Sequence, residues 1–138
     1  MGLSSSLMEP HFSLYLNGQK QDYVITEDDR FMAIMEEHPL VRGHCVVFPK
    51  RVVDSWLSLS DEESAEIMVF AKKIGKAIEQ VVTCKKIGVA VIGLQVKHAH
   101  VHLVPIDSAD DLNFTRPKLD LAPVEMKEFA AKIKSHLL

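Results

Sequence analysis

Three histidines alternate with small or apolar residues in the run His98-Ala99-His100-Val101-His102. Residues of an extended strand rise about 3.3 Å each and alternate between faces, so the three imidazoles are predicted to share one open face at spacings of about 7 Å. Covalent transfer at phosphorus needs a neutral imidazole aimed at the phosphorus atom and hydrogen-bond donors around the phosphate oxygens. The run therefore predicts that His100 is a nucleophile, with a supporting neighbour on each side.

Metal binding is the main chemical alternative for the same run, because two histidines one residue apart on a strand can present two nitrogens to zinc. A cupin-like site would add a Glu soon afterwards, whereas Val104 and Pro105 occupy that stretch. Cys45 and Cys84 stand apart and match neither a zinc site nor a disulfide framework. We expect no metal and no cofactor, and two reduced thiols.

Length and composition predict one soluble domain. The chain has 138 residues and 47% hydrophobic content, enough for a single core over residues 12–138, with residues 1–11 as a loose arm. A net charge of -3 gives no basic field for nucleic acid, so a small anionic ligand is the better partner. No apolar stretch reaches the roughly 20 residues that cross a bilayer. We expect a cytoplasmic protein without nucleic-acid or membrane partners.

Apolar patterning predicts the strands that position the histidines. Runs rich in β-branched residues, bounded by turn residues, predict strands and two hairpins. These strands are residues 23–26, 31–35, 45–48, 87–92 and 96–106. Residues 12–16 are short and apolar, a pattern that fits either a helix or a strand.

Two helices follow from capping signals and from apolar residues at helical spacing. Ser60 and Glu63 form a capping box at the start of the longer helix, whose stripe runs from Ile67 to Val81. Pro123 is tolerated in the first turn of a second, C-terminal helix. The apolar stripe of the long helix is predicted to pack against the strand face opposite the histidines.

The run from His98 to Val104 resembles the signature of the histidine triad (HIT) family, in which three histidines alternate with apolar residues, and every position matches. The similarity extends over roughly residues 12–106. It includes an acidic turn at residues 27–31 and a Gly-His strand from Gly43 to Lys50 that ends in Pro-Lys. The resemblance implies an α+β fold, in which a five-stranded antiparallel sheet carries a long helix on one face and a C-terminal helix.

The family resemblance also implies an activity, in which the middle histidine attacks the α-phosphate of a nucleoside phosphate and forms a nucleotidyl-histidine. Applied to this chain, His100 is the nucleophile, His98 and His44 support the site, and His102 contacts phosphate and assists the leaving group. Nucleoside phosphoramidates and dinucleoside polyphosphates are the expected substrates. The implied enzyme is a homodimeric hydrolase or transferase.

Substrate-contacting residues are likewise implied by the resemblance. An AMP-like purine nucleotide is expected to place its base against Phe12, Tyr15, Ile34 and Met35. Glu36 stands where relatives often carry Asp or Asn for the ribose hydroxyls, and Gln95 stands where they carry Ser or Thr. Some bacterial relatives hold zinc through a Cys pair, but Pro10 and Ser13 occupy those positions. A binding protein of the same fold without turnover is the alternative function.

Overall fold

The computed structural model describes residues 10–137, with side chains from Phe12 onward. A loose arm was expected over residues 1–11, and residues 1–9 of it lie outside the described residues. The first helix, α1 (Pro10–Leu16), begins two residues before the expected domain boundary. Within residues 10–137, no helix is both long enough and apolar enough to span a membrane.

One five-stranded sheet forms the centre of the fold, in the order β1-β2-β3-β5-β4 with antiparallel neighbours throughout. Its strands are β1 (Val24–Glu27), β2 (Phe31–Met35), β3 (Cys45–Pro49), β4 (Lys86–Ala90) and β5 (Val101–Ile106). Besides α1, the helices are α2 (Asp61–Val81) and α3 (Pro123–Ser135). The expected α+β class, with its sheet, long helix and C-terminal helix, is confirmed.

Both faces of the central strands are buried, and alternate residues serve two separate cores. Met35 and Cys45 face the larger core beneath α2 and α3, whereas Ile34 and Val46 face a smaller cluster beneath α1. Residues 12–16, which fitted either a helix or a strand, therefore form a helix that covers the sheet face opposite α2.

The long helix α2 begins as the capping signal predicted. The Ser60 hydroxyl accepts from the Glu63 N–H at 3.0 Å, and the Glu63 carboxylate accepts from the Ser60 N–H at 2.9 Å. These bonds satisfy two N–H groups that have no partner within the helix. Further along α2, residues such as Ile74 and Ile78 pack in the same core as Val101 of β5.

The strand that carries the histidines is shorter than predicted. β5 begins at Val101 rather than at residue 96, so His98 and His100 lie in the connection that precedes it. Pro49, the last residue of β3, has no N–H with which to extend the β3–β5 ladder. Its carbonyl instead accepts from the His98 ring at 2.7 Å. The prediction of a single strand over residues 96–106 was therefore wrong, because only His102 of the three histidines lies in β5.

Candidate active site

A tight connection between β2 and β3 positions two polar side chains beside the sheet. Glu36 follows β2 and His44 precedes β3, and the Glu36 N–H donates to the His44 carbonyl at 3.0 Å. Gly43 has φ +92, a conformation that is costly for residues with a Cβ atom. The next strand over, β5, pairs His102 with Val46, so that His44 and His102 come together.

A chain of hydrogen bonds fixes the protonation of these two histidines. The Leu40 N–H donates to His44 Nδ1 at 3.0 Å, so neutral His44 carries its proton on Nε2. His44 Nε2 lies 3.0 Å from His102 Nδ1 and therefore donates to it. Because Nδ1 of His102 accepts, the proton of neutral His102 is on Nε2. The result is an N–H donor on His102.

The opposite tautomer is fixed at His100. Its Nδ1 lies 2.7 Å from the carbonyl oxygen of His98, and a carbonyl only accepts, so Nδ1 carries the proton. Neutral His100 therefore has its lone pair on Nε2. The rings of His100 and His102 are 4.8 Å apart between centroids. The site thus pairs a nucleophilic nitrogen with a neighbouring donor.

All four histidines are buried, with relative exposures of 1% for His44 and His98 and 7% for His100 and His102. The prediction of an open row of imidazoles on the surface was therefore wrong, because the rings are buried. Burial lowers the pKa of all four imidazoles, because the protein interior disfavours the charged form. The rings are therefore held neutral. A histidine nucleophile must be neutral, and so must His44 and His102 if each is to accept a hydrogen bond at Nδ1.

Aromatic rings pack around the histidines from two sides. Phe12 of α1 stacks on Phe48 at 4.1 Å between centroids and meets the His100 ring edge-on at 5.5 Å. Phe114, from the segment after β5, packs against His102 at 4.7 Å and His44 at 5.9 Å. These contacts restrict ring rotation and keep water from the hydrogen bonds.

A cavity of about 350 Å³ opens beside His100 and His102. This volume is in the range of small-molecule sites. The cavity brings together six of the ten residues that the sequence proposed. They are Phe12, Glu36, His44, Gln95, His100 and His102.

The other four proposed residues lie outside the cavity lining. His98 points to the Pro49 carbonyl and acts on the site through its own carbonyl, which accepts from His100. Tyr15 and Ile34 are buried behind Phe12, where the Tyr15 hydroxyl donates to the Glu37 carboxylate. Met35 faces the core on the other side of the sheet.

Sequence reasoning missed part of the cavity wall, which comes from residues after β5. Phe114, Thr115 and Lys118 line the cavity, as does the exposed His38 from the connection between β2 and β3. None of them belongs to the histidine run or to the other matched stretches. The one local signal is that Phe114 follows the acidic stretch at residues 107–111, and this pattern does not distinguish a site from a surface loop.

One cluster has the composition of a metal site. Ligand atoms of Glu36, His44 and His102 lie within 4.8 Å of one another. A metal on Nε2 of His44 would displace the proton that this histidine donates to His102. It would also force a proton onto Nδ1, where the Leu40 N–H already points. The geometry therefore fits a hydrogen-bonded pair better than a set of metal ligands.

A comparison with protein families matches the HIT domain over residues 17–109, more than half of the chain. The chain therefore belongs to the HIT family. The family assignment that the histidine run suggested is confirmed.

Some of the relatives are named for an enzyme activity, and others are uncharacterized. An uncharacterized HIT-like protein of Borreliella burgdorferi is 28% identical over 134 residues, covering 91% of this chain and 96% of the relative. The adenosine 5'-monophosphoramidase of Schizosaccharomyces pombe is 29% identical, covering 77% and 81% of the two chains. An AP-4-A phosphorylase of Mycobacterium tuberculosis is 29% identical, covering 74% and 55%. At 28–29% sequence identity, these relatives agree with the family assignment but do not show which reaction this chain catalyses.

Solved structures confirm the fold. A hypothetical histidine triad nucleotide-binding protein from Sulfolobus tokodaii superimposes with a TM-score of 0.75 at 23% identity, covering 91% of this chain and 90% of that one. A zinc-bound histidine triad protein from Mycobacterium smegmatis gives 0.77 at 24% identity, covering 94% of each chain. The zinc belongs to that protein, and the likeness extends to the fold alone.

Proposed function

We propose that this chain hydrolyses or transfers nucleotides by direct attack of His100 Nε2 on the α-phosphate of a nucleoside phosphoramidate or a dinucleoside polyphosphate. The observation that carries the proposal is the tautomer of His100. Its Nδ1 proton is engaged by the His98 carbonyl, so the lone pair of Nε2 is available beside the cavity. Neutral imidazole with an accessible lone pair is the form that forms covalent intermediates.

The proposed reaction has two steps. His100 Nε2 forms a bond to phosphorus while the bond from phosphorus to the leaving amine or phosphate breaks, and a leaving amine takes up a proton from the medium. Water, or another acceptor, then attacks the same phosphorus, loses its proton to the medium and releases His100. His102 Nε2–H donates to a phosphate oxygen or to the departing group. His44 and His98 are positioning residues, because they fix the tautomers of His102 and His100.

Nucleotide recognition is proposed at the cavity walls. Phe12 offers an aromatic surface for a purine base, and Tyr15 and Ile34 support it from behind. Glu36 would accept hydrogen bonds from the ribose hydroxyls, and Gln95 would contact the phosphate end. Burial raises the pKa of the Glu36 carboxyl, and hydroxyl donors from a ribose would offset part of that cost. Met35 has no part in this proposal.

The proposal includes a homodimer, as the family resemblance implies, located in the cytoplasm. β4 is an edge strand, and Val89, Val91 and Ile92 on or just after it are exposed. Exposed apolar residues beside an unpaired strand edge are typical of a surface that a second copy covers. Light scattering with size-exclusion chromatography would give twice the chain mass; a monomer at all concentrations would contradict this element.

Steady-state turnover of adenosine phosphoramidate and of a dinucleoside polyphosphate tests the proposal. We expect the wild type to hydrolyse at least one of them and His100→Asn to lose nearly all activity while still folding. An exposed histidine outside the site provides the matched control, so His136→Asn should keep full activity. Mass spectrometry of a rapidly quenched wild-type reaction should show a nucleotidyl adduct on His100.

Three outcomes would contradict the proposal. Equal turnover by wild type and His100→Asn would show that the nucleophile is elsewhere. Tight AMP binding without any turnover would favour the non-catalytic binding protein. Loss of activity on treatment with a chelator, restored by added metal, would point to a metal-dependent hydrolase.

A further inference from the structure

The charges that line the cavity pose a problem for an anionic ligand. His44, His100 and His102 are buried, and burial lowers their pKa, so they contribute donors and a nucleophile but no positive charge. Glu36 adds an acidic group to the same wall. Among the cavity-lining residues that the structure describes, Lys118 is the one Lys or Arg. Lys118 therefore supplies the one permanent positive charge among these lining residues, and an anionic phosphate is expected to lie near it.

Lys118 is held in place without being neutralised by a carboxylate. Its Nζ donates to the carbonyl of Phe114 at 2.6 Å and to that of Arg116 at 3.0 Å. Over residues 12–137, no Asp or Glu oxygen forms an ion pair with it, whereas Lys20 and Lys50 are each paired with a Glu. An ammonium bound to two carbonyl oxygens keeps its full charge and one donor for a ligand.

The segment that carries Lys118 is anchored at both ends. Arg116 donates to the Asp111 carboxylate at 3.1 Å, and the Leu119 N–H donates to the Pro39 carbonyl at 2.8 Å. Phe114, in the same segment, packs on the His102 ring. Because these contacts exist before any ligand binds, less conformational entropy is lost when Lys118 engages an anion.

We propose that Lys118 is the anion-binding residue of this site and supplies the positive charge that holds the phosphate of the ligand next to His100 and His102. Lys118 lies after residue 109, where the match to the HIT domain ends. The inference rests on the proposed function only in taking the phosphate to be part of a nucleotide. Lys118 is a binding residue, and no bond forms or breaks at its side chain.

The electrostatics of the site agree with this placement. Burial is the largest cause that lowers the pKa of His44, and the positive charge of Lys118 is among the causes that lower it further. The charge of Lys118 therefore acts on His44, whose Nε2 lies 3.0 Å from His102 Nδ1. Salt screens such an interaction, so it is strongest at low ionic strength.

Calorimetric titration at low ionic strength tests the proposal with three probes: AMP, adenosine and inorganic pyrophosphate. Wild type is compared with Lys118→Ala, Lys118→Arg and Lys97→Ala. Lys97 is exposed, adjacent to the histidine run and outside the cavity lining, so its removal deletes the same charge nearby. We expect Lys118→Ala to weaken AMP and pyrophosphate binding about tenfold, as for loss of one charge-assisted hydrogen bond. Adenosine affinity should not change.

The two control variants should behave as follows. Lys118→Arg should retain most of the affinity for AMP, and Lys97→Ala should bind all three probes like the wild type. Equal weakening of AMP and adenosine by Lys118→Ala would overturn the proposal, because it would mean that the side chain only supports the wall. Unchanged AMP and pyrophosphate affinity in Lys118→Ala would overturn it as well, as would an equal loss in Lys97→Ala.

The anion site and the nucleotide function can fail separately. If the wild type binds pyrophosphate in a Lys118-dependent way but does not bind AMP, Lys118 is an anion-binding residue and the nucleotide proposal is wrong. If the wild type binds AMP and turns over substrates through His100 while Lys118→Ala binds AMP and pyrophosphate equally well, the nucleotide proposal stands and the proposal for Lys118 is wrong. Absence of binding by the wild type to AMP and pyrophosphate overturns both.

Discussion

His44 Nε2 and His102 Nδ1 lie 3.0 Å apart, and the Leu40 N–H at the far side of the His44 ring determines which of the two nitrogens donates. The backbone N–H of Leu40, which lies outside the cavity lining, thus determines that His102 presents an N–H at Nε2. Under the proposed function, this relationship makes His44 a positioning residue, and its loss can be measured separately from loss of the proposed nucleophile.

Replacement of His44 by Ala should destabilise the protein and slow the reaction. Leu40 N–H and His102 Nδ1 would both lose a buried partner, at a combined cost of about 2–4 kcal/mol. His44→Gln keeps an amide donor of similar reach towards His102, so it should lose less stability and less kcat. Urea unfolding and steady-state kinetics measure the two effects. If Ala and Gln reduce kcat equally, fixing of the His102 tautomer is not the role of His44.

Stability should fall as the pH is lowered through the ordinary histidine range. Burial holds the pKa of His44 and His102 well below the unfolded value of about 6.5. Between these values the unfolded chain binds more protons, so the stabilisation is fully present above about pH 6.5 and is lost as the pH falls. Each histidine contributes a slope of about 1.4 kcal/mol per pH unit at most. Urea midpoints from pH 7.5 to 4.5 measure this, and His44→Gln should give a shallower slope; equal slopes would contradict the assignment.

The acid limb of the activity profile should lie below pH 6.5. Burial lowers the pKa of His100, although its hydrogen bond to the His98 carbonyl opposes part of that shift. His100 therefore stays neutral, and nucleophilic, at pH values where a free imidazole is protonated. The pH dependence of kcat/KM for a dinucleoside polyphosphate, which avoids the acid lability of phosphoramidates, reports this pKa. A limb at or above pH 6.5 would contradict the buried, neutral nucleophile.

Substitution of Gly43 should be more damaging than the same change at Gly18. Both have positive φ, so Ala at either position incurs about 1–2 kcal/mol of backbone strain. A Cβ at Gly43 would also lie 2.8 Å from Val82 Cγ2 and 3.3 Å from Pro105 Cγ, whereas Gly18 has nothing within 4 Å. We expect Gly43→Ala to lose about 1–3 kcal/mol more than Gly18→Ala in urea unfolding. Similar losses would show that the neighbours move aside easily.

Local signals in the sequence predicted most of the framework. The capping box at Ser60 predicted the start of α2, and continuous apolar runs bounded by turn residues predicted β2 and β3 within one residue. The histidine run identified His100 and His102, and the Gly-His stretch identified His44. Each of these signals involves residues that are close in sequence, so it can be recognised without knowledge of the tertiary structure.

Tertiary relationships account for what the sequence did not reveal. The truncation of β5 depends on Pro49, which is remote in sequence from His98. Both faces of β2 are buried, so hydrophobicity did not distinguish Ile34 from Met35, although a period of two places them on opposite faces. Lys118 resembles any exposed lysine until the chain after β5 brings it to the cavity wall.

The hydrogen bond from Leu119 N–H to the Pro39 carbonyl joins the Lys118 segment to the loop that begins at Glu36. Under the proposed function, the residue that binds the phosphate and the carboxylate that accepts from the ribose therefore lie on two segments joined by a backbone hydrogen bond. A substitution that disturbs either segment is therefore expected to affect both ends of the proposed nucleotide site.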